Sequence, residues 1–250
     1  MTAPIIPGAE PWSSPEGGPH GVLVLHGFTG NPHSMRGLAH AFADAGFAVE
    51  LPLLPGHGTS VEDMLDTGWP DWSAAAEAAL ARLAERADKI VVAGLSMGGA
   101  LTAWLAGRHP ELVGAVFINA LVQAPDGMAD FVQGLIDGGD TLMGGIGSDI
   151  ADPDVSELAY AETPLVPLAS LFGIGDEVQA GLATVEFPVL IITSRQDHVV
   201  PPENSDTIAA LVKGPQERIM LERSFHVATL DHDKDLIEEA AVAFALKVTA

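Results

Sequence analysis

The chain has 250 residues, 48% of them hydrophobic, with 34 acidic side chains against 11 basic ones, a net charge of −23 and no cysteine. That length and apolar content suit one α/β domain with an insertion, not two independent domains or a disordered segment, and the charge repels nucleic acid and anionic membrane surfaces. Without cysteine there are no disulfides, no thiol catalysis and no Cys-based zinc sites.

The first residues are punctuated by Pro4, Pro7, Pro11, Pro15 and Pro19 and lack a basic, apolar leader, so the expected location is cytoplasmic. No apolar run reaches the roughly 18 residues of a bilayer span, and no stable membrane insertion is expected. Residues 22–25 read as a buried strand, 34–45 as a helix that stops at Gly46, and 47–51 as the next strand. Gly56-His57-Gly58 then either lines a site or turns the chain. A long amphipathic helix is expected from Asp71, as its N-cap, to Ala87, leading into a strand at 89–93.

Further buried strands are expected at 113–118, 189–193 and 217–221. Short apolar strands alternating with helices imply an α/β fold, a mostly parallel central sheet covered by helices on both faces. Between 121 and 184 the rhythm breaks into apolar clusters, among them Met128, Phe131, Leu142, Met143 and Ile146, separated by glycines and without a clear strand. This stretch is read as a cap inserted into a core formed by 1–120 and 185–250.

The chemistry starts at Gly94-Leu95-Ser96-Met97-Gly98. An apolar strand precedes it and a helix follows, which describes a nucleophile elbow: the serine occupies a sharp turn where flanking side chains would collide with strand and helix. A serine needs a base to take its proton and an anion to orient that base. In the chain order Ser, acid, His, the candidates are Asp197, just past the 189–193 strand, and His226, just past the last strand. His26-Gly27-Phe28-Thr29 follows the first buried strand, where its glycine lets a backbone N–H face a developing oxyanion. The expected donors are the N–H groups of Phe28 and Met97, the latter at a helix start. His26 itself is assigned to fixing that loop. No HExxH pair or Cys/His cluster occurs, and His198 has no second ligand at helical or hairpin spacing, so no metal centre is expected.

These motifs, with Pro32-His33-Ser34-Met35-Arg36, Gly56-His57-Gly58-Thr59, Asp197-His198-Val199-Val200-Pro201-Pro202 and His226-Val227-Ala228-Thr229-Leu230-Asp231, make the chain resemble the bacterial monoacylglycerol lipases and small carboxylesterases of the α/β-hydrolase superfamily. The last two of these, with the stretches Gly147-Ser148-Asp149-Ile150 and 153–160, carry the more specific part of that likeness. The resemblance implies the α/β-hydrolase fold with a small cap, Ser96 as nucleophile, Asp197 as acid, His226 as base, Glu157 as holder of a glycerol hydroxyl and Ile146 near the acyl chain. It implies hydrolysis of a small lipid ester, a monoacylglycerol, with no cofactor. Read from the residues alone, Glu157 equally suits the first turn of a helix started by Asp152-Pro153. A general short-chain carboxylesterase, a thioesterase, a carbon–carbon hydrolase, an acyltransferase and a slow-turnover binding protein share the triad. Aspartate-nucleophile dehalogenases and epoxide hydrolases are excluded by the serine at position 96.

Overall fold

The computed structural model describes residues 3–145 and 147–250, which places Ile146 outside the described residues. The first half runs through β1 (Trp12–Ser13), β2 (His20–Leu25), a 3-10 turn (Pro32–Met35), α1 (Arg36–Asp44), β3 (Ala48–Leu51), α2 (Val61–Met64) and α3 (Trp69–Ala84). It continues through β4 (Lys89–Leu95), α4 (Met97–Arg108), β5 (Gly114–Ile118), α5 (Met128–Asp137), β6 (Leu142–Gly144), β7 (Glu162–Pro164), α6 (Leu165–Phe172) and α7 (Gly175–Leu182). The chain closes with β8 (Val189–Ser194), α8 (Glu203–Leu211), β9 (Gln216–Leu221), a second 3-10 turn (Ala228–Leu230) and α9 (Lys234–Thr249).

Seven strands form one sheet in the order β1-β3-β2-β4-β5-β8-β9. Every neighbour pair is parallel except β1 with β3. The central strands are apolar through their middles, polar side chains such as His20, Lys89, Thr193 and Ser194 standing at their ends, because both faces are covered. In β4, Ile90 and Val92 join the core under α3 and α4, whereas Val91, Ala93 and Leu95 join the core under α1 and α9. β2, β5 and β8 divide their residues between the two cores with the same period of two. Trp72, Met97, Leu101 and Leu105 fill the first layer and Leu38, Phe42, Ile237 and Phe244 the second.

Three local expectations change. The long helix α3 begins at Trp69, because Pro70 has the fixed backbone of a first-turn residue, and Gly68 is its N-cap. Asp71 is therefore inside the helix, where its carboxylate accepts the Gly68 N–H at 2.9 Å. Residues 151–160 form no helix; Asp152 accepts the Asp154 N–H at 3.0 Å in a local turn instead. The 121–184 segment does contain strands, the antiparallel ribbon β6·β7, whose three-residue arms are too short to show alternation. Its last helix, α7, lies on α4 with Gly107 and Gly181 backbone to backbone: a Cβ on Gly107 would stand 2.5 Å from Gly181 Cα. Among the described residues no helix is long and apolar enough to cross a membrane.

Candidate active site

The parallel sheet delivers three loops to one end, after β2, β4 and β5, and each carries a non-glycine residue at positive φ: Thr29 at 59°, Ser96 at 56° and Asn119 at 42°. Such backbone costs about 1–3 kcal/mol per residue and persists where the surroundings enforce it. At Ser96 they do. A Cβ on Gly94 would stand 2.0 Å from Gly98 O, one on Gly98 2.1 Å from Leu25 O, and one on Gly99 2.3 Å from Ala120 Cβ. The glycines let α4 approach β2 and the segment after β5, and that close packing holds the serine on its turn. Ser96 N donates to Ile118 O and Leu121 N to Ser96 O, both at 3.1 Å, so β5 braces the elbow.

The segment after β8 carries Asp197, whose Oδ1 accepts the N–H groups of Val199 at 2.9 Å and Val200 at 2.8 Å. Its Oδ2 lies 2.8 Å from His226 Nδ1. The carboxylate side chain is 1% exposed and the imidazole 8%. A proton held on Nδ1 by Asp197 leaves Nε2 as the basic nitrogen, and Ser96 and His226 line the same niche. Asp231 and Asp233 are occupied elsewhere: Asp231 accepts backbone N–H groups, and Asp233 holds Arg223 and Ser224.

Asn119 escaped the sequence reading. Its Nδ2 donates to His226 O at 2.8 Å and Ser194 Oγ at 3.0 Å, and its Oδ1 accepts Ser194 N at 2.7 Å. It thus ties the ends of β5 and β8 to the His226 segment. The available signal was an asparagine, a residue tolerant of left-handed backbone, directly behind a buried strand.

Among the described residues neither Phe28 N nor Met97 N donates to a protein acceptor. Met97 opens α4, where the helix N-terminus favours negative charge. Behind this pair His26 is fully buried, its Nδ1 2.9 Å from Gly27 O and its Nε2 accepting Leu54 N at 3.2 Å. Burial, reinforced by neighbouring His57, pushes its pKa down to about 3. A neutral, doubly bonded ring is a loop fastener, as expected. His57, pushed down to about 4 by burial, packs edge-on against His26, Phe28 and Trp72, with ring centroids 5.0, 6.3 and 5.7 Å away. Gly56-His57-Gly58 therefore turns the chain and backs Phe28.

Ser96 stands where two compartments of unlike chemistry meet. One is a cavity of about 170 Å³, lined by apolar side chains such as Leu121, Met128, Met143, Leu168, Leu171 and Phe172. The other is a niche of about 30 Å³ between Gly27, Thr29, His226 and Glu157. Burial pushes the Glu157 carboxyl up to about 7, against the pull of the nearby His226 charge. Gly30 leaves it room, since a Cβ there would stand 2.7 Å from Glu157 Oε1. Glu157 rides on the irregular 148–160 strap, its N–H donating to Ser148 Oγ at 2.6 Å. The far end of the strap is fixed by Tyr160, whose hydroxyl donates to Gly56 O at 2.8 Å and accepts Thr59 N at 3.0 Å.

No group of three or more His, Cys, Asp or Glu side chains among the described residues is arranged to hold a metal ion. His198 faces Asp149, with Nδ1 2.8 Å from Oδ1.

Comparison with known proteins places this geometry among relatives. The family profile described as alpha/beta hydrolase fold matches residues 22–140. The chain is 46% identical over 247 residues to the thermostable monoacylglycerol lipase of Bacillus sp. (strain H-257), covering 98% of this chain and 97% of that one. It is 26% identical over 235 residues to a carboxylesterase of Bacillus subtilis (strain 168), covering 93% and 95%. Among solved structures, one from a study of LipS and LipT, two metagenome-derived lipolytic enzymes, superposes with a TM-score of 0.94 at 46% identity, covering 98% of this chain and all of that one.

Proposed function

The chain belongs to the α/β-hydrolase family, and within it we propose a serine esterase that hydrolyses monoacylglycerols to glycerol and free fatty acid. The observation that carries this reading is the placement of Ser96 between a roomy apolar cavity and a narrow niche that ends at a carboxyl. The cavity takes one acyl chain, each buried methylene contributing roughly 0.8 kcal/mol. The niche takes a small polar alcohol.

In the proposed cycle Ser96 Oγ attacks the ester carbonyl while His226 Nε2 takes its proton, and Asp197 orients the imidazole and stabilises its charged form. The oxyanion is met by the N–H groups of Phe28 and Met97. Collapse breaks the ester bond, and His226 returns the proton to the departing glycerol oxygen. Water then attacks the acyl-enzyme with the same base. Glu157 holds a free glycerol hydroxyl, and residues 121–184 act as the cap. The 46% identical relative named as a monoacylglycerol lipase supports the substrate class.

A glyceride series tests this. Mono-, di- and trioleoylglycerol are compared at equal ester concentration, with wild type and Glu157→Leu. Two further chains on the alcohol side would bury an unpaired carboxyl against hydrocarbon, so monooleoylglycerol is expected to dominate. Comparable rates on tri- and monooleoylglycerol defeat the substrate assignment. Unchanged monooleoylglycerol kinetics in Glu157→Leu remove the glycerol contact.

A further inference from the structure

The two chain segments that carry Asp197 and His226 meet on one side chain of the strap. Asp149 Oδ2 accepts the His226 N–H at 3.0 Å and the His198 N–H at 3.2 Å. Its Oδ1 pairs with His198 Nδ1 at 2.8 Å, and its own carbonyl accepts Val227 N at 3.0 Å. The strap therefore grips the base on both sides of its Cα and, in the same contact, grips the residue that follows the acid. The grip is returned. Asp231, just beyond the base and 1% exposed, accepts Ala151 N at 2.7 Å and Asp152 N at 3.1 Å while also accepting Phe225 N at 2.9 Å and His232 N at 2.8 Å.

Neither carboxylate is a partner in the His226–Asp197 bond, whose atoms are His226 Nδ1 and Asp197 Oδ2. Their common effect is geometric. Glu157 lies eight positions after Asp149 on the same strap, and the strap is pinned at its other end by Tyr160. Near Glu157 itself the strap is held on the other side of the niche, by Asn31 Nδ2 on Leu158 O and Tyr160 N on Thr29 O, so the Asp149 and Asp231 bonds are what tie it to the His226 side. We infer that Asp149 is a positioning residue: by binding His226 N and His198 N together it fixes the alcohol niche against the base, so that the departing glycerol oxygen meets the imidazolium. This rests on the esterase reading above.

Such a role is felt by substrates in proportion to how much their leaving group needs protonation and seating. Glycerol needs both; 4-nitrophenol leaves as its anion and reaches no glycerol contact. The experiment measures kcat/KM on 1-monooleoylglycerol and on 4-nitrophenyl oleate for wild type, Asp149→Ala and Asp149→Asn, with thermal melts of each. Asp149→Ala leaves two backbone donors without their acceptor and is expected to lose at least tenfold more, to order of magnitude, on the glyceride than on the nitrophenyl ester. Asp149→Asn keeps one oxygen for both N–H groups, and its amide can donate to the other tautomer of His198. It is expected to stay within about threefold of wild type on both esters.

Equal losses on the two esters in Asp149→Ala, or no loss, overturn the inference. So does an Asp149→Asn variant as impaired as alanine. If Asp149→Ala does not fold, Asp149→Glu, which displaces the acceptor by one methylene, must show the same split. A wild type active on the nitrophenyl ester but not on the glyceride defeats the monoacylglycerol reading instead, and Asp149 is then judged by the same split between ethyl oleate, whose alkoxide needs a proton to leave, and the nitrophenyl ester: equal losses on these two overturn it.

Discussion

Glu157 should make the protein less stable as the solution becomes more alkaline, and removing its charge should cure this. Its carboxyl rises from an ordinary 4.5 in the unfolded chain to about 7 in the folded one, because burial in the niche outweighs attraction to the His226 charge. Between those two values the folded state binds more protons than the unfolded state at this position, so stability falls with rising pH. The neutral carboxyl costs nothing below about pH 4.5, and the full penalty is present above about pH 7. At about 1.36 kcal/mol per pKa unit that penalty has a ceiling of about 3 kcal/mol. For a chain of this size it corresponds to roughly 6–12 °C in Tm. Glu157→Gln keeps the shape without the charge. Thermal melts of wild type and Glu157→Gln at pH 5 and pH 8.5 are expected to show near parity at the lower pH and a more stable variant at the higher one. A Tm difference that is the same at both pH values, or a variant less stable than wild type at pH 8.5, refutes the reasoning.

Asp197→Asn is expected to lower turnover by on the order of 10⁴, the cost of losing the carboxylate that orients His226 in the proposed cycle, and steady-state kinetics on a nitrophenyl ester measure it. Asp231→Asn, which loses acceptor capacity for backbone N–H groups, should show its main effect in the melting temperature and retain far more activity than Asp197→Asn. Gly98→Ala, whose Cβ would stand 2.1 Å from Leu25 O, is expected to yield insoluble or grossly destabilised protein. Gly127→Ala, with open space around it and φ of +71°, should cost only about 1 kcal/mol by denaturant titration. Met143→Trp, at the wall of the apolar cavity, should depress rates on long acyl chains more than on short ones, read from a chain-length series.

The elements that the sequence displayed clearly were those whose residues face two cores. β2, β4, β5 and β8 are apolar through their middles, with His20, Lys89, Thr193 and Ser194 at strand ends, because the sheet is covered twice, and their shortness favours strands over buried helices. The elbow was legible for a related reason: Gly94, Gly98 and Gly99 have no space for a Cβ, and that constraint is written as a pattern. Asp71 was misplaced because its carboxylate caps α3 from within, and an aspartate at a helix start looks alike at either position. The β6·β7 ribbon was invisible because three residues carry no period. The partners of Asn119 and Asp149 were hidden in another way. Each side chain acts on backbone groups of segments 75 to 107 positions away for Asn119 and 49 to 77 for Asp149, and spacing along a chain does not encode such partners.

The most direct test is the hydrolysis of monooleoylglycerol by wild type and Ser96→Ala, matched for folding by their melting curves, with intact mass measured after exposure to a fluorophosphonate. The wild type is expected to release oleate and to gain one phosphonyl group on Ser96. Ser96→Ala is expected to keep its fold, take up no label and lose activity by several orders of magnitude, leaving only what oxyanion stabilisation and binding supply. A folded Ser96→Ala that still hydrolyses the ester at a substantial fraction of the wild-type rate, or a label found on another residue, contradicts the assignment of this serine.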